Sequence, residues 1–182
     1  MTFNKKLLTT AFLTVGGFAA MSSANASGTE SSDFTITTTI ESVCTIDASG
    51  ASISFTDIAA GTTGTDISNK KSAGDISVKC SNDAPYVINL STTGNSTSTT
   101  GEGLMTGTLG DTIAYQLNSD AEGTTAWGNT GALGIDADGN GIAGSGAGVS
   151  TPILHSVYAT ITGSTDVKQD TYEDTITASI IY

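Results

Sequence analysis

The chain has 182 residues and a formal net charge of −12, with six lysines and no arginine. Because it lacks both arginine forks and a lysine cluster, the composition argues against a nucleic-acid or phosphate-binding role. The acidic residues are better interpreted as a solubilising surface, and the length suffices for one domain with a substantial core.

The first 26 residues have the composition of an export signal. Lys5 and Lys6 precede a mostly apolar run at residues 7–21, and the Ala-Asn-Ala sequence at residues 24–26 fits a cleavage site. We therefore expect residues 1–26 to be a signal peptide and the protein to be exported. No later segment approaches the roughly 20 apolar residues that a membrane-spanning helix needs.

Residues 33–41, near the start of the expected mature chain, alternate between apolar and polar side chains. Phe34, Ile36 and Ile40 share one face with Thr38, and polar side chains occupy the other face. This period-two pattern, rich in β-branched residues, predicts a half-buried β-strand. Such a strand can be the first strand of its own sheet, or it can pair with the open sheet edge of another molecule.

Cys44 and Cys80 are the only two cysteines in the sequence. In an oxidising compartment an even count predicts one disulfide, which would stabilise the fold by about 3–4 kcal/mol on the chain-entropy estimate. Free or metal-binding thiols are the alternative, although no histidine or cysteine cluster nearby supports a metal site.

The rest of the chain predicts an all-β sandwich, because short alternating runs are separated by glycine-rich and polar clusters and helix signals are nearly absent. We expect a hairpin between residues 104–108 and 112–117, and a central position for residues 153–161. The predicted strands are residues 43–46, 52–55, 75–80, 86–90, 104–108, 112–117, 153–161 and 175–182, and the predicted loops are residues 59–74, 92–103 and 120–150.

The last predicted strand places Ile176, Ala178, Ile180 and Tyr182 on one face. The sequence ends inside this strand, so we expect an apolar sheet edge that nothing after it covers. Such an edge is a liability in an exported protein. The N-terminal strand is the candidate for covering it.

Three features look like chemical sites, and for each one we favour a structural interpretation. The Asp-Ala-Asp-Gly-Asn sequence at residues 136–140 resembles the start of a calcium loop, but Ala147 occupies the twelfth position. His155 lies within a predicted strand, where a lone histidine is more often structural than catalytic. Trp127 could stack on a sugar, but packing of a loop on the sandwich explains it better. We expect no catalytic residue, metal site or cofactor.

Three segments, together with the alternating N-terminal strand, carry a resemblance to a known family. Val-Cys-Thr-Ile at residues 43–46, Val-Lys-Cys at residues 78–80 and the stretch from Tyr-Glu-Asp-Thr at residues 172–175 to the terminal Ile-Tyr resemble the spore coat protein U domain family. Family members with a signal peptide are subunits of archaic chaperone–usher pili. The chain is most similar to the major rod subunits of Csu-type pili, which support attachment and biofilm formation. Asp170 departs from the family pattern, which favours glycine there, and we interpret it as a turn variation.

The resemblance implies a fold and a mechanism of assembly. Such subunits are immunoglobulin-like sandwiches that lack their last strand. A periplasmic chaperone lends them a strand, and an outer-membrane usher replaces it with the N-terminal strand of the next subunit. For this chain, the resemblance implies a donor strand in residues 27–41, a pilin domain in residues 42–182 and a chaperone contact at the terminal carboxylate. The donor residues would be Phe34, Ile36, Thr38 and Ile40, and the acceptor groove would be edged by Ile176, Ala178, Ile180 and Tyr182.

The alternative function is a self-contained, secreted β-sandwich that binds a carbohydrate or a protein, and an enzyme ranks third. Removal of residues 27–41 distinguishes the first two functions. A pilin with a chaperone or a linked strand would stay folded but would not polymerise, whereas a binding module would only be destabilised or would remain an unchanged monomer.

Overall fold

The structure is a computed structural model, and it describes residues 27–56, 58–62, 71–134 and 139–182 of the chain. The expected signal peptide and most of the calcium-like motif lie outside the described residues. Residues 1–38 form one unit of the chain and residues 39–182 form a second. In the described part of the first unit, residues 27–38, every residue is exposed and no helix or strand is assigned.

The described residues of the second unit contain nine strands and one short 3-10 helix, Ser49–Ala51. The strands are β1 Cys44–Asp47, β2 Lys71–Cys80, β3 Pro85–Thr92, β4 Glu102–Gly107, β5 Thr112–Asn118, β6 Ile142–Ser145, β7 Ile153–Ile161, β8 Tyr172–Glu173 and β9 Ile176–Ile181.

The strands form two sheets in which every pairing is antiparallel. The larger sheet has the order β1-β2-β7-β5-β4-β8, and the smaller sheet has the order β6-β3-β9. The central position predicted for residues 153–161 is confirmed by β7, and the predicted hairpin is confirmed by β4 and β5. The second unit is thus an all-β, immunoglobulin-like sandwich, and its smaller sheet has three strands in the described part of the chain and ends at β9 on one side.

The core lies between the two sheets and takes side chains from both. Val78 and Leu117 of the larger sheet are buried together with Tyr86 and Ile88 of the smaller one. Burial recurs at every second position in β2 and β5, as a sheet with one buried face requires, whereas the central strand β3 is buried at five consecutive positions, residues 86–90. A second, smaller cluster forms around Ile113 and Ile161.

Trp127 belongs to this core although it lies in the predicted loop at residues 120–150. Its side chain is 1% exposed, and its Nε1–H donates to the Ile88 carbonyl at 3.0 Å. The packing interpretation is confirmed, since an indole buried on both faces offers no platform for a sugar ring.

Cys44 and Cys80 lie opposite each other in the β1–β2 ladder, and their sulfur atoms are bonded. The predicted disulfide is therefore confirmed. The disulfide attaches β1, the first strand of the sandwich, to β2. Residues 27–43 come directly before β1 in the chain.

Three local predictions are wrong. Residues 52–55 are extended and alternate between half-buried and exposed, but they join no sheet ladder. Residues 71–74 were expected in a loop and instead extend β2, where they pair with β7. Residues 142–145 form β6 inside the long predicted loop, because they find a partner edge on β3.

Residues 33–41 also carry no strand assignment. The strand predicted for these residues is therefore not observed in the single chain. No helix among the described residues is long and apolar enough to cross a membrane.

Candidate functional site

β9 forms an edge of the smaller sheet. It pairs with β3 along its whole length, and a hydrogen bond from Thr93 N–H to the Thr175 carbonyl, at 3.0 Å, continues the ladder by one residue. No strand in the described ranges pairs with the other side of β9. That side therefore offers a row of backbone donors and acceptors to a further strand.

The four predicted acceptor residues lie on one face at this edge, as their even spacing requires. Ala178 and Ile180 are half-buried and pack against the core. In contrast, Ile176 is 38% exposed, and Tyr182, which follows the strand, is 52% exposed. Ala178 and Ile180, in the middle of this face, are thus covered, whereas Ile176 and Tyr182, at its two ends, are open to solvent. Only two of the four predicted acceptor residues pack on the core.

An open cavity lies beside the start of β9. It has a volume of about 470 Å³, and its apolar lining includes Ile53, Phe55, Met105 and Ile176. A second cavity of about 670 Å³ shares Ile53, Phe55, Met105 and Tyr172 with the first. We use the name groove for these two cavities together with the free side of β9.

The extended segment at residues 52–56 covers part of the groove without closing it. Ile53 and Phe55 turn inward and pack against the core, whereas Ser52 and Ser54 are exposed. Because the segment joins no sheet, it contributes side chains to the cavity wall but no ladder to the free side of β9.

A carboxylate lies among these apolar residues. Asp174 is half-buried, and its Oδ1 accepts hydrogen bonds from Gly94 N–H and Thr175 N–H, each at 2.7 Å. The Tyr115 hydroxyl donates to Asp174 Oδ2 at 2.7 Å. Burial, and then the hydrogen bond to Asp174, raise the pKa of Tyr115 well above its ordinary value, so the hydroxyl remains a donor.

Two glycines permit this arrangement. A Cβ atom at Gly103 would collide with the Tyr115 ring, and one at Gly94 would collide with the Leu104 carbonyl oxygen. The close approach of these backbones brings the Tyr115 hydroxyl to Asp174, and any larger residue would push the two apart.

Asp170 makes hydrogen bonds to the turn between β4 and β5. The Thr108 hydroxyl donates to its Oδ2 at 2.6 Å, and Thr171 N–H donates to its Oδ1 at 2.8 Å. These two hydrogen bonds, with that from Thr108 first, lower the pKa of Asp170. Asp170 therefore attaches the segment before β8 to the neighbouring hairpin.

The four predicted donor residues are all exposed. The exposed fractions are 84% for Phe34, 85% for Ile36 and 87% for Ile40, and Thr38 is also exposed. Three large apolar side chains in one short segment are thus uncovered, and exposed apolar side chains that lie close together mark interaction sites. We use the name donor strip for these three residues together with Thr38.

His155 and Asn140, which looked like parts of chemical sites in the sequence, make structural contacts. His155 Nε2 lies 2.8 Å from the Tyr86 hydroxyl, and burial lowers the pKa of His155. Asn140, at the end of the calcium-like motif, accepts from Thr130 N–H and donates to the Thr99 carbonyl. Within the described residues, no group of three or more histidine, cysteine, aspartate or glutamate side chains could hold a metal ion.

Sequence reasoning missed the part of the groove that lies outside β9. Met105, Tyr115 and Asp174 line the first cavity, but none of them was predicted as a site residue. The alternation at residues 52–55 was the one available signal, because it places Ile53 and Phe55 on the same inward face.

The fold and the groove define a class of protein, an all-β sandwich with an uncovered edge strand. The family model described as the Spore Coat Protein U domain matches residues 30–179. The chain belongs to the spore coat protein U domain family.

A solved structure has the same fold. It is a chaperone–tip adhesion subunit pre-assembly complex, CsuC–CsuE, from the archaic chaperone–usher Csu pili of Acinetobacter baumannii. The TM-score is 0.51 and the sequence identity is 16%, with 79% of this chain and 41% of that chain covered. The present chain thus spans about two fifths of the matched chain. No curated protein sequence matched.

Proposed function

We propose that this chain is a structural pilus subunit that polymerises by donor-strand exchange, in which residues 33–41 of one copy fill the groove of the next. The pilus would be of the archaic chaperone–usher type and would support surface attachment and biofilm formation. One observation carries the proposal: the chain contains both an unpaired edge strand beside an apolar groove and an exposed strip of alternating apolar side chains.

Strand addition suits the chemistry of both elements. A strand beside β9 gains backbone hydrogen bonds along the free edge, and its alternate side chains enter the groove. Full burial of Phe34, Ile36 and Ile40 would contribute roughly 1.5–3 kcal/mol each. Residues 33–41 can span about 30 Å, which exceeds the length of the six-residue strand β9.

The contact would propagate instead of closing. The donor strip and the groove are different surfaces of the same chain, so their contact is heterologous and generates an open filament. A subunit inside a filament must both give and receive a strand. Because this chain carries both elements, we assign it to the rod, as the major subunit.

The remaining partners follow from the need to cover the groove before assembly. We place a signal peptide at residues 1–26, a chaperone strand in the groove in the periplasm, and an outer-membrane usher at the exchange step. Membership of the spore coat protein U domain family supports this route, as does the similarity of the fold to a chain from a chaperone–subunit complex.

Two aspartate substitutions on opposite faces of the donor segment test the proposal. Ile36→Asp places a charge on the apolar face, and Thr37→Asp places the same charge on the polar face as a matched control. A buried, unpaired carboxylate is strongly unfavourable, so we expect Ile36→Asp to abolish surface fibres in electron micrographs. Thr37→Asp should retain them, and chaperone capture should be unchanged in both.

Fibres of normal length in cells that make only the Ile36→Asp chain would contradict strand exchange. Removal of residues 27–41 provides a second measurement with a chaperone present. If the shortened chain behaves like the full one in its oligomeric state and in surface attachment, the self-contained binding module is favoured instead.

A further inference from the structure

The donor strip contains one polar side chain, Thr38, between Ile36 and Ile40. Once the strip is inserted, this hydroxyl is removed from water and needs a hydrogen-bond partner. A buried hydroxyl without a partner weakens binding by roughly tenfold or more. The groove must therefore supply an acceptor or a donor at one position along its length.

We propose that Asp174 accepts a hydrogen bond from the Thr38 hydroxyl of the incoming copy and thereby sets the register of the donor strand. This inference rests on the proposed function. Asp174 Oδ1 already receives two backbone N–H groups, whereas Tyr115 is the one partner of Oδ2 in the described part of the chain. A carboxylate oxygen can accept two hydrogen bonds, so Oδ2 retains one acceptor position.

Asp174 lies on the groove side although it precedes β9. The backbone bond from Thr93 N–H to the Thr175 carbonyl continues the β3–β9 ladder by one residue beyond Ile176, and the next N–H, that of Gly94, donates to the Asp174 side chain. Residues 174, 178 and 180 are half-buried and residues 175, 177 and 179 are exposed, whereas Ile176, on the face of the first set, is 38% exposed. Asp174 is thus the next groove-facing position before Ile176, and both line the first cavity.

The two ends of the sandwich determine the direction of the inserted strand. Val43 lies beside Ser81, at the same end as Ile181, whose partner Val87 is near the start of β3. Ile176 lies at the opposite end. A strand antiparallel to β9 would therefore end near Ile176, and its own sandwich would stack there with its Val43 end first. The next copy can repeat this head-to-tail contact, whereas a parallel strand would bring two Val43 ends together.

The position of Thr38 then determines every other pair. Directly opposite residues of an antiparallel pair point to the same face, and only shifts of two residues preserve that face. The first cavity then receives Ile36 beside Ile176, and the second cavity receives Ile40. The ring of Phe34 lies over the small side chain of Ala178. The opposite pairs are Phe34 with Ala178, Ile36 with Ile176 and Thr38 with Asp174. Ile40 lies beyond them, where Tyr172 of β8, a strand of the larger sheet, lines the second cavity.

Two other registers keep the same faces but leave Asp174 without a hydroxyl partner. A shift of two residues places Ile40 opposite Asp174 and Thr38 opposite Ile176, so apolar and polar groups are mismatched at both positions. A shift of four residues places Phe34, Ile36 and Ile40 opposite Tyr182, Ile180 and Ile176, but it leaves Asp174 and the second cavity without a donor side chain. The carboxylate of Asp174 thus distinguishes three registers that hydrophobic burial alone would leave close in stability.

Cysteine pairs on the exposed face report the register without altering the groove. Thr35 would lie opposite Thr177 in the proposed register, opposite Ser179 after a shift of two, and opposite Ile181 after a shift of four. Each full-length chain carries Thr35→Cys with one of Thr177→Cys, Ser179→Cys and Ile181→Cys. Pili from the three chains are oxidised and compared on non-reducing gels. We expect the Thr177 pair to cross-link neighbouring subunits at least tenfold more than either other pair.

A substitution of Thr38 separates register selection from a merely structural role of Asp174. Thr38→Val removes the hydroxyl and keeps the shape, and Thr37→Val on the opposite face is the matched control. We expect Thr38→Val to reduce the preference for the Thr177 pair roughly tenfold, as for loss of a hydrogen bond to a carboxylate. Thr38→Ser and Thr37→Val should retain it. If Asp174 only holds Gly94 and Tyr115 in place, Thr38→Val leaves the cross-linking pattern unchanged and the inference is overturned.

The register and the proposed function fail in different ways. Assembled pili whose cross-links fall at Ser179 or Ile181 would overturn the register and leave donor-strand exchange standing. Assembled fibres with no cross-link between subunits from any of the three pairs would count against strand addition at β9 itself, and so against both.

Discussion

Residues 33–41 and β9 share one sequence pattern but differ in their surroundings. Both alternate isoleucine or phenylalanine with threonine or serine, and both predict a half-buried strand. β9 pairs with β3 and packs Ala178 and Ile180 on the core, whereas Phe34 and Ile36 are exposed. The difference shows that alternation specifies which side chains share a face, while a neighbouring backbone decides whether the segment becomes a strand.

The two segments are also complementary in what they lack. β9 has one paired side and one free side, and a groove lies beside its first residue, Ile176. Residues 33–41 have an apolar strip and no ladder on either side. Under the proposed function, each segment supplies what the other is missing, but in a different copy of the chain.

The largest expected effect comes from placing the same charge in each segment. In the purified, unassembled chain without residues 1–26, Ile180→Asp should destabilise the sandwich by about 3 kcal/mol or more, because the carboxylate replaces a side chain packed on the core. Ile36→Asp should change stability by less than about 0.5 kcal/mol, because the residue is exposed. Urea unfolding followed by the fluorescence of Trp127, the one tryptophan, measures both.

These two measurements can contradict the contrast between residues 33–41 and β9. If Ile36→Asp costs as much as Ile180→Asp in the monomer, residues 33–41 pack within their own subunit, and the contrast between the two segments disappears.

The next effect in size concerns the disulfide that joins β1 to β2. Replacing both Cys44 and Cys80 by alanine should destabilise the fold by about 3–4 kcal/mol, since the bond closes a loop with a sequence separation of 36. Hydrogen exchange should accelerate in β1 and β2, whereas residues 33–41 should exchange rapidly with or without the bond. An unchanged free energy of unfolding in the double variant would remove the disulfide from the account of stability.

Much of the sandwich was predictable because its signals are local. The strands β3, β5, β7 and β9 combine period-two alternation with β-branched or aromatic residues, and each was predicted within about two residues. β6 was missed because Ile-Ala-Gly-Ser has almost no strand signal of its own and gains its ladder from β3. Residues 71–74 were missed for the same reason, since their partner is β7.

The groove was predictable along β9 and not elsewhere. The acceptor face follows from the spacing of Ile176, Ala178 and Ile180, and the disulfide follows from counting cysteines. Asp174 gains its role through Gly94 and Tyr115, which are far away in sequence, and no local pattern connects the three. The cavity walls at residues 52–56 likewise depend on a segment that crosses the sandwich without joining a sheet.

The smallest expected effect is a pH dependence of folding stability that arises in the sandwich and not in residues 33–41. His155 is the one histidine, and it is half-buried with its Nε2 at 2.8 Å from the Tyr86 hydroxyl. Burial lowers its pKa in the folded state, whereas the unfolded chain takes up the proton at a pKa of about 6.5. The stability contributed by the neutral ring is therefore complete above about pH 7. It declines as the pH falls below about 6.5, and it levels off below the folded pKa.

Unfolding of the unassembled chain at pH values from 7.5 to 4.5 tests this, with His155→Gln as the variant that does not titrate. On acidification, the histidine protein should lose a few tenths of a kcal/mol of stability relative to the His155→Gln variant. The loss is small because solvent screens a half-buried ring. Carboxylates titrate in both proteins and cancel in the difference. A difference that stays constant over the whole range would show that His155 titrates alike in the folded and unfolded chains. Residues 33–41 contain no histidine, so Ile36→Asp should leave this particular pH dependence unchanged, whereas a variant that loosens β3 or β7 around Tyr86 and His155 should reduce it.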